Sequence, residues 1–60
     1  MHLEVDWKRQ GEEKAAYFHV ANLEAAERLM NAILDDANNI TTIVIWDNNG
    51  QRAGGWPTRK

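Results

Sequence analysis

Polar side chains able to do chemistry occupy alternate positions at the start of the chain. His2, Glu4 and Asp6 are separated by single residues, and His19 lies in a second segment of alternating pattern. Alternate side chains of a strand share one face, so these imidazole nitrogens and carboxylate oxygens are expected on the same side of a sheet. Such a set is able to bind a divalent metal or to act as an acid and base pair.

The same spacing also arises on any polar strand face, and a surface pair between Glu4 and His19 accounts for it without a ligand. Sixty residues leave little chain for a substrate pocket. We therefore predict no catalytic residue, no metal site and no cofactor, and we expect that the protein is not an enzyme.

Charge is distributed unevenly along the chain. Residues 1–50 contain four basic and nine acidic side chains, a balance of −5, whereas residues 51–60 contain Arg52, Arg59 and Lys60, a balance of +3. An acidic body repels the phosphate backbone of nucleic acids and suits a basic protein surface. The balance of charge therefore favours a protein partner.

The composition indicates one small soluble domain. The chain has no cysteine, and none of its apolar runs approaches the ~20 residues that a membrane span needs. The opening "MHLEVDWKRQ" has no apolar signal core. We predict a cytoplasmic domain over residues 1–56, followed by a mobile basic tail over residues 57–60.

The first twenty residues predict a β-hairpin. Its apolar residues alternate on both sides of Gly11: Leu3, Val5, Trp7, Ala16, Phe18 and Val20. A type II′ turn at Gly11-Glu12 would place Val5 opposite Phe18, and on the other face Glu4 opposite His19 and Asp6 opposite Tyr17. A turn at Gln10-Gly11 would keep the same faces and change these partners.

The segment "LEAAERLMNAILDDA", residues 23–37, predicts a helix with Asn22 as its N-cap. Glu24 is placed to pair with Arg28 one turn later. The helix is expected to fray into a turn at Asn38-Asn39, where either residue tolerates a left-handed conformation. The residues that recur at helical spacing form one apolar side: Ala26, Leu29, Met30, Ile33 and Ala37, with Leu34 at the edge.

The segment "NITTIVIWDNNGQRAGGW", residues 39–56, predicts a second hairpin. A type I′ turn at Asn49-Gly50 would set Ile43 opposite Trp56, Ile45 opposite Gly54 and Asp47 opposite Arg52, and Pro57 would end the pairing. Trp7 and Trp56 are expected on the helix-facing side. Alternatively, "RAGGWPTRK" is a flexible recognition tail anchored by Trp56.

Together these elements predict an α+β fold of ββαββ type. A right-handed crossover places the third strand beside the first, which gives the spatial order 2-1-3-4 with the helix on one face. The layout is similar to that of many small accessory proteins, including ones from phages and mobile elements.

A single helix leaves the opposite face of the sheet uncovered, and we call this surface the open face. The following residues are expected on it: His2, Glu4, Asp6, Lys8, Tyr17, His19, Thr42, Val44 and Trp46. Long polar stems that shield isolated apolar side chains would account for this face without a partner. Aromatic residues with a charged rim are instead typical of an interface, which would be a homodimer or a heterologous complex.

We predict a small protein-interaction module that acts as a stoichiometric inhibitor or adaptor. Its partner-binding residues are predicted to be Trp46, Val44, Tyr17, His19, Glu4 and Asp6. The alternative is a single-stranded nucleic-acid binder. In that case the exposed aromatic residues would stack on bases, and basic side chains would hold phosphates: Arg9, Arg52, Arg59 and Lys60.

Overall fold

The computed structural model describes residues 1–57, so all of the predicted tail except Pro57 lies outside the described residues. Five elements follow one another along the chain: β1 (His2–Arg9), β2 (Glu12–His19), α1 (Leu23–Asp36), β3 (Ile40–Trp46) and β4 (Arg52–Trp56). The strands form one antiparallel sheet in the order β2-β1-β3-β4. The predicted ββαββ arrangement, its α+β class and its strand order are confirmed.

The first hairpin turns at Gln10-Gly11 and not at Gly11-Glu12. Both turn residues have positive φ angles, 54° and 81°, which is the type I′ geometry. This turn matches the right-handed twist of the strands, and it sets Val5 opposite Ala16 and Glu4 opposite Tyr17. In each pair predicted from the type II′ turn, the partner in β2 is therefore wrong by two residues. The side chains still lie on the predicted faces of the sheet.

The second hairpin has a longer turn than predicted. The Asp47 carboxylate accepts hydrogen bonds from the backbone N–H groups of Asn49 (2.8 Å) and Gln51 (2.9 Å), and the Asp47 N–H donates to the Gln51 carbonyl (2.9 Å). Gly50, with φ 78°, completes a three-residue loop in place of the type I′ turn. The extra residue produces an irregularity after Ile45, so Arg52 faces Trp46 and not Asp47.

The helix begins where the sequence predicts, because the Asn22 side chain accepts from the N–H of Ala25 at 2.8 Å. The Arg28 guanidinium donates to Glu24 at 2.7 Å, as expected. The C-terminus differs from the prediction: Ala37 is extended (φ −117°, ψ 141°), and neither asparagine after it is left-handed. The chain therefore enters β3 directly, without the predicted left-handed turn.

The core lies between α1 and the two central strands. It consists of Leu3, Val5, Val20, Ala26, Ile43 and Ile45. Trp7 and Trp56 pack against this cluster and are half-buried, which agrees with their predicted place on the helix-facing side. Trp56 also ends β4 opposite Ile43.

The helix packs chiefly over β1 and β3 and leaves the helix-facing side of β2 uncovered. Phe18 is consequently 41% exposed, although it points toward the apolar side. Beside it lies an open groove of about 500 Å³, which we call the helix-side groove. Its lining is mostly apolar: Val5, Trp7, Arg9, Ala16, Phe18, Ile33, Ala37, Asn39 and Ile40.

Candidate functional site

The sheet register brings the predicted partner-binding residues together on the open face. Tyr17, Glu4 and Val44 lie opposite one another across β2, β1 and β3. The neighbouring row contains His19, His2 and Trp46. Residues that face each other across a ladder point to the same side of the sheet, so each row is one continuous strip of surface.

Trp46 is fixed from within the molecule. Its indole Nε1 donates to Glu4 Oε1 at 3.2 Å, and both Trp46 and Val44 are half-buried. Tyr17, in contrast, is 65% exposed, and its ring lies 6.3 Å from that of His2 between centroids. Of the two predicted aromatic contact residues, Tyr17 is therefore the exposed one and Trp46 is partly covered.

Glu4 and Asp6 place two carboxylates side by side near the middle of this face. The pKa of Asp6 is raised from its usual value, first by partial burial, then by the hydrogen bond that its protonated form can donate to Glu4, and finally by the charges of Glu4 and Glu13. The salt bridges among residues 1–57 join Lys14 to Glu12 (3.1 Å) and Arg28 to Glu24 (2.7 Å), and neither involves Glu4 or Asp6. Neither carboxylate therefore has an ion-pair partner among residues 1–57.

Replacing Asp6 by asparagine should stabilise the protein at neutral pH. A raised folded-state pKa means that the folded chain binds the proton more tightly than the unfolded chain, so ionised Asp6 opposes folding above that pKa. The gain in the free energy of unfolding on Asp6→Asn is expected to shrink as pH falls toward 3.8, the ordinary value for this carboxyl. Urea unfolding of both proteins at several pH values measures this difference. A gain that is independent of pH would show that the carboxyl's ionisation is not its cause.

The alternating His2, Glu4 and Asp6 do not form a ligand set. Between residues 1 and 57, no group of three or more histidine, aspartate or glutamate side chains is arranged to hold a metal ion. His19 faces His2 across the ladder and not Glu4, because the turn lies one residue earlier than assumed. Glu4 therefore lies opposite Tyr17, and the predicted surface pair between Glu4 and His19 does not form.

Sequence reasoning missed two features near these surfaces. Arg52 joins the open face opposite Trp46 because of the irregularity after Ile45. The helix-side groove was missed because apolar alternation shows which face of β2 is apolar but not how far the helix extends over it. Phe18 is exposed because α1 packs over β1 and β3 and does not cover it.

Comparisons of the chain with protein-family models, with curated proteins and with solved structures found no match. No helical segment between residues 1 and 57 has the length and apolar composition that a membrane crossing requires.

Proposed function

We propose that this chain is a non-enzymatic protein-interaction module of the cytoplasm, acting as a stoichiometric inhibitor or adaptor of the phage or mobile-element accessory type. Its open face would bind a basic region of a partner protein. The observation that carries the proposal is the pair of carboxylates at Glu4 and Asp6, which have no salt bridge among residues 1–57. An arginine or lysine of a partner would supply the missing positive charge.

The aromatic side chains around the acidic pair support the same proposal. Tyr17 offers a largely exposed ring at one end of its row, and Trp46 holds the Glu4 carboxylate in place through its indole N–H. Exposed tyrosine and tryptophan commonly provide much of the binding energy at protein interfaces. A fixed carboxylate between aromatic groups suits a guanidinium, which pairs with carboxylates and stacks on rings.

The charge of the whole body acts in the same direction. Residues 1–50 have a balance of −5, which attracts a basic surface at long range and raises the association rate at low ionic strength. The same field opposes a nucleic-acid backbone. The nucleic-acid alternative predicts quenching of tryptophan fluorescence by short RNA or DNA oligonucleotides at low salt. The proposed function predicts an unchanged signal.

Site-specific photo-cross-linking tests the proposal in the cells that make the protein. The photoreactive residue p-benzoylphenylalanine is placed at Tyr17 on the open face and, as a control, at Asn31 on the exposed side of α1. A discrete adduct larger than two chains is expected from position 17 and not from position 31. Equal adducts from both positions, or none from position 17, would contradict the proposed function. An adduct of two chains with none larger would show that position 17 contacts only a second copy, and it would also contradict the proposed function.

A further inference from the structure

The outer edge of β2 has a regular row of backbone groups that pair with no other strand among residues 1–57. The Val20 N–H donates to the Met1 carbonyl at 3.0 Å. Hydrogen-bonded pairs alternate along an antiparallel ladder, so each odd-numbered residue of β1 is hydrogen-bonded to the even-numbered residue of β2 opposite it. The backbone groups of the odd residues in β2 therefore point away from the sheet. These residues are Glu13, Ala15, Tyr17 and His19.

We infer that this edge pairs antiparallel with β2 of a second copy, about a two-fold axis at Ala16, to form one eight-stranded sheet. In that register Glu13 faces the second copy's His19, and Ala15 faces the second copy's Tyr17. All four outward-facing residues then form hydrogen-bonded pairs. The strand is complementary to itself in hydrogen bonding, because the Glu13 carboxylate near one end lies opposite the His19 imidazole, which has an N–H donor, at the other end of the second copy.

The helix-side groove supports the same register. On the helix-facing side of the sheet, Ala16 lies opposite the second copy's Ala16. Lys14 lies opposite the second copy's Phe18. The groove opens beside the small Ala16 side chain, and each exposed Phe18 ring is placed at the outer end of the other copy's groove. Two half-exposed apolar surfaces are thereby covered in one contact. Dimerisation of this kind is a usual support for a domain of this size that has no disulfide.

This inference does not depend on the proposed function. The side chains of Tyr17 and His19 stay on the open face when their backbone groups pair, so the two open faces become one continuous surface. A partner would still have access to Glu4 and Asp6 in the dimer.

Charge substitution tests the inference through the mass of the protein in solution. Light scattering behind a sizing column is expected to give about twice the chain mass of 6.9 kDa for the wild type at high loading concentration. His19→Glu places like charges opposite each other at two symmetry-related positions, so we expect the dimer dissociation constant to rise about tenfold or more. Adding Glu13→Lys to His19→Glu places opposite charges at these positions and restores the dimer. Asn31→Glu, with the same change in charge on α1, leaves the dimer intact.

Amide hydrogen exchange locates the contact independently of the variants. The N–H groups of Ala15 and Tyr17 are expected to exchange more slowly at concentrations that favour the dimer. A wild type that is monomeric at all concentrations would overturn the inference. So would a dimer that is unaffected by His19→Glu and leaves these amides unprotected, because its contact would lie elsewhere.

Discussion

Gly55→Ala destabilises the protein strongly, whereas the same substitution at the neighbouring Gly54 has little effect. Gly55 has a φ of 157°, which alanine rarely adopts, and a Cβ atom there would lie 2.3 Å from the Ile43 carbonyl oxygen. That oxygen belongs to the backbone of a central strand and has no room to move. A Cβ at Gly54 would lie 3.4 Å from Ile45 Cδ1, an ordinary contact.

The expected loss for Gly55→Ala is about 2 kcal/mol or more, from backbone strain and from displacement of β4. Chains of this length have a net stability of roughly 3 to 9 kcal/mol, so this loss is a large fraction of the free energy of unfolding and should lower the thermal midpoint clearly. Thermal and urea unfolding of both glycine variants provide the comparison. Equal stability of the two variants would show that β4 does not hold Gly55 against Ile43.

Leu3→Ala is the second substitution with a large expected effect. Leu3 is fully buried and lies in one row between Phe18 and Ile45. Shortening it removes apolar contact and leaves a cavity beside the buried Ala26 of α1, at an expected cost of about 2 to 5 kcal/mol. In so small a core this loss approaches the whole stability of the fold.

Leu23→Ala is the matched control for that substitution. Leu23 begins α1 and is 39% exposed, so the same change in side chain removes much less buried surface. The midpoint of urea unfolding should fall sharply for Leu3→Ala and only slightly for Leu23→Ala. Similar midpoints for the two variants would contradict the placement of the core between β1 and α1.

The strand order and the two faces of the sheet were predictable because neither changes when a turn is misplaced by one residue. Alternation fixes the face of Leu3 and Val5 whichever turn is used. The exact partners in the first hairpin were not predictable, because moving its turn by a single residue changes every pair. In the second hairpin the predicted pairs of Ile43 with Trp56 and Ile45 with Gly54 are correct, and only the pair nearest the turn differs. There the Asp47 carboxylate selects a longer loop through local hydrogen bonds to Asn49 and Gln51, which the propensity of the dipeptide Asn49-Gly50 alone does not include.

The candidate site was predictable to a similar extent. The residues of the open face could be named from alternation, and the structure places them in adjacent rows. The exposed fraction of these side chains could not be predicted, because it depends on neighbours across the sheet. Trp46 is hydrogen-bonded to Glu4, whereas Tyr17 is largely exposed. The groove beside Phe18 depends on the lateral position of α1, which its apolar stripe does not specify.

The central claim is tested most directly by cross-linking from position 17 in a variant whose Glu4 and Asp6 carboxylates are replaced by neutral amides. The variant combines Glu4→Gln with Asp6→Asn, and the control combines Asp35→Asn with Asp36→Asn at the exposed end of α1, so both lose two negative charges. We predict that the position-17 adduct larger than two chains disappears with the first pair of substitutions and persists with the second, while both chains remain folded. Persistence of the adduct in the first variant would contradict the claim that Glu4 and Asp6 hold a basic partner on the open face.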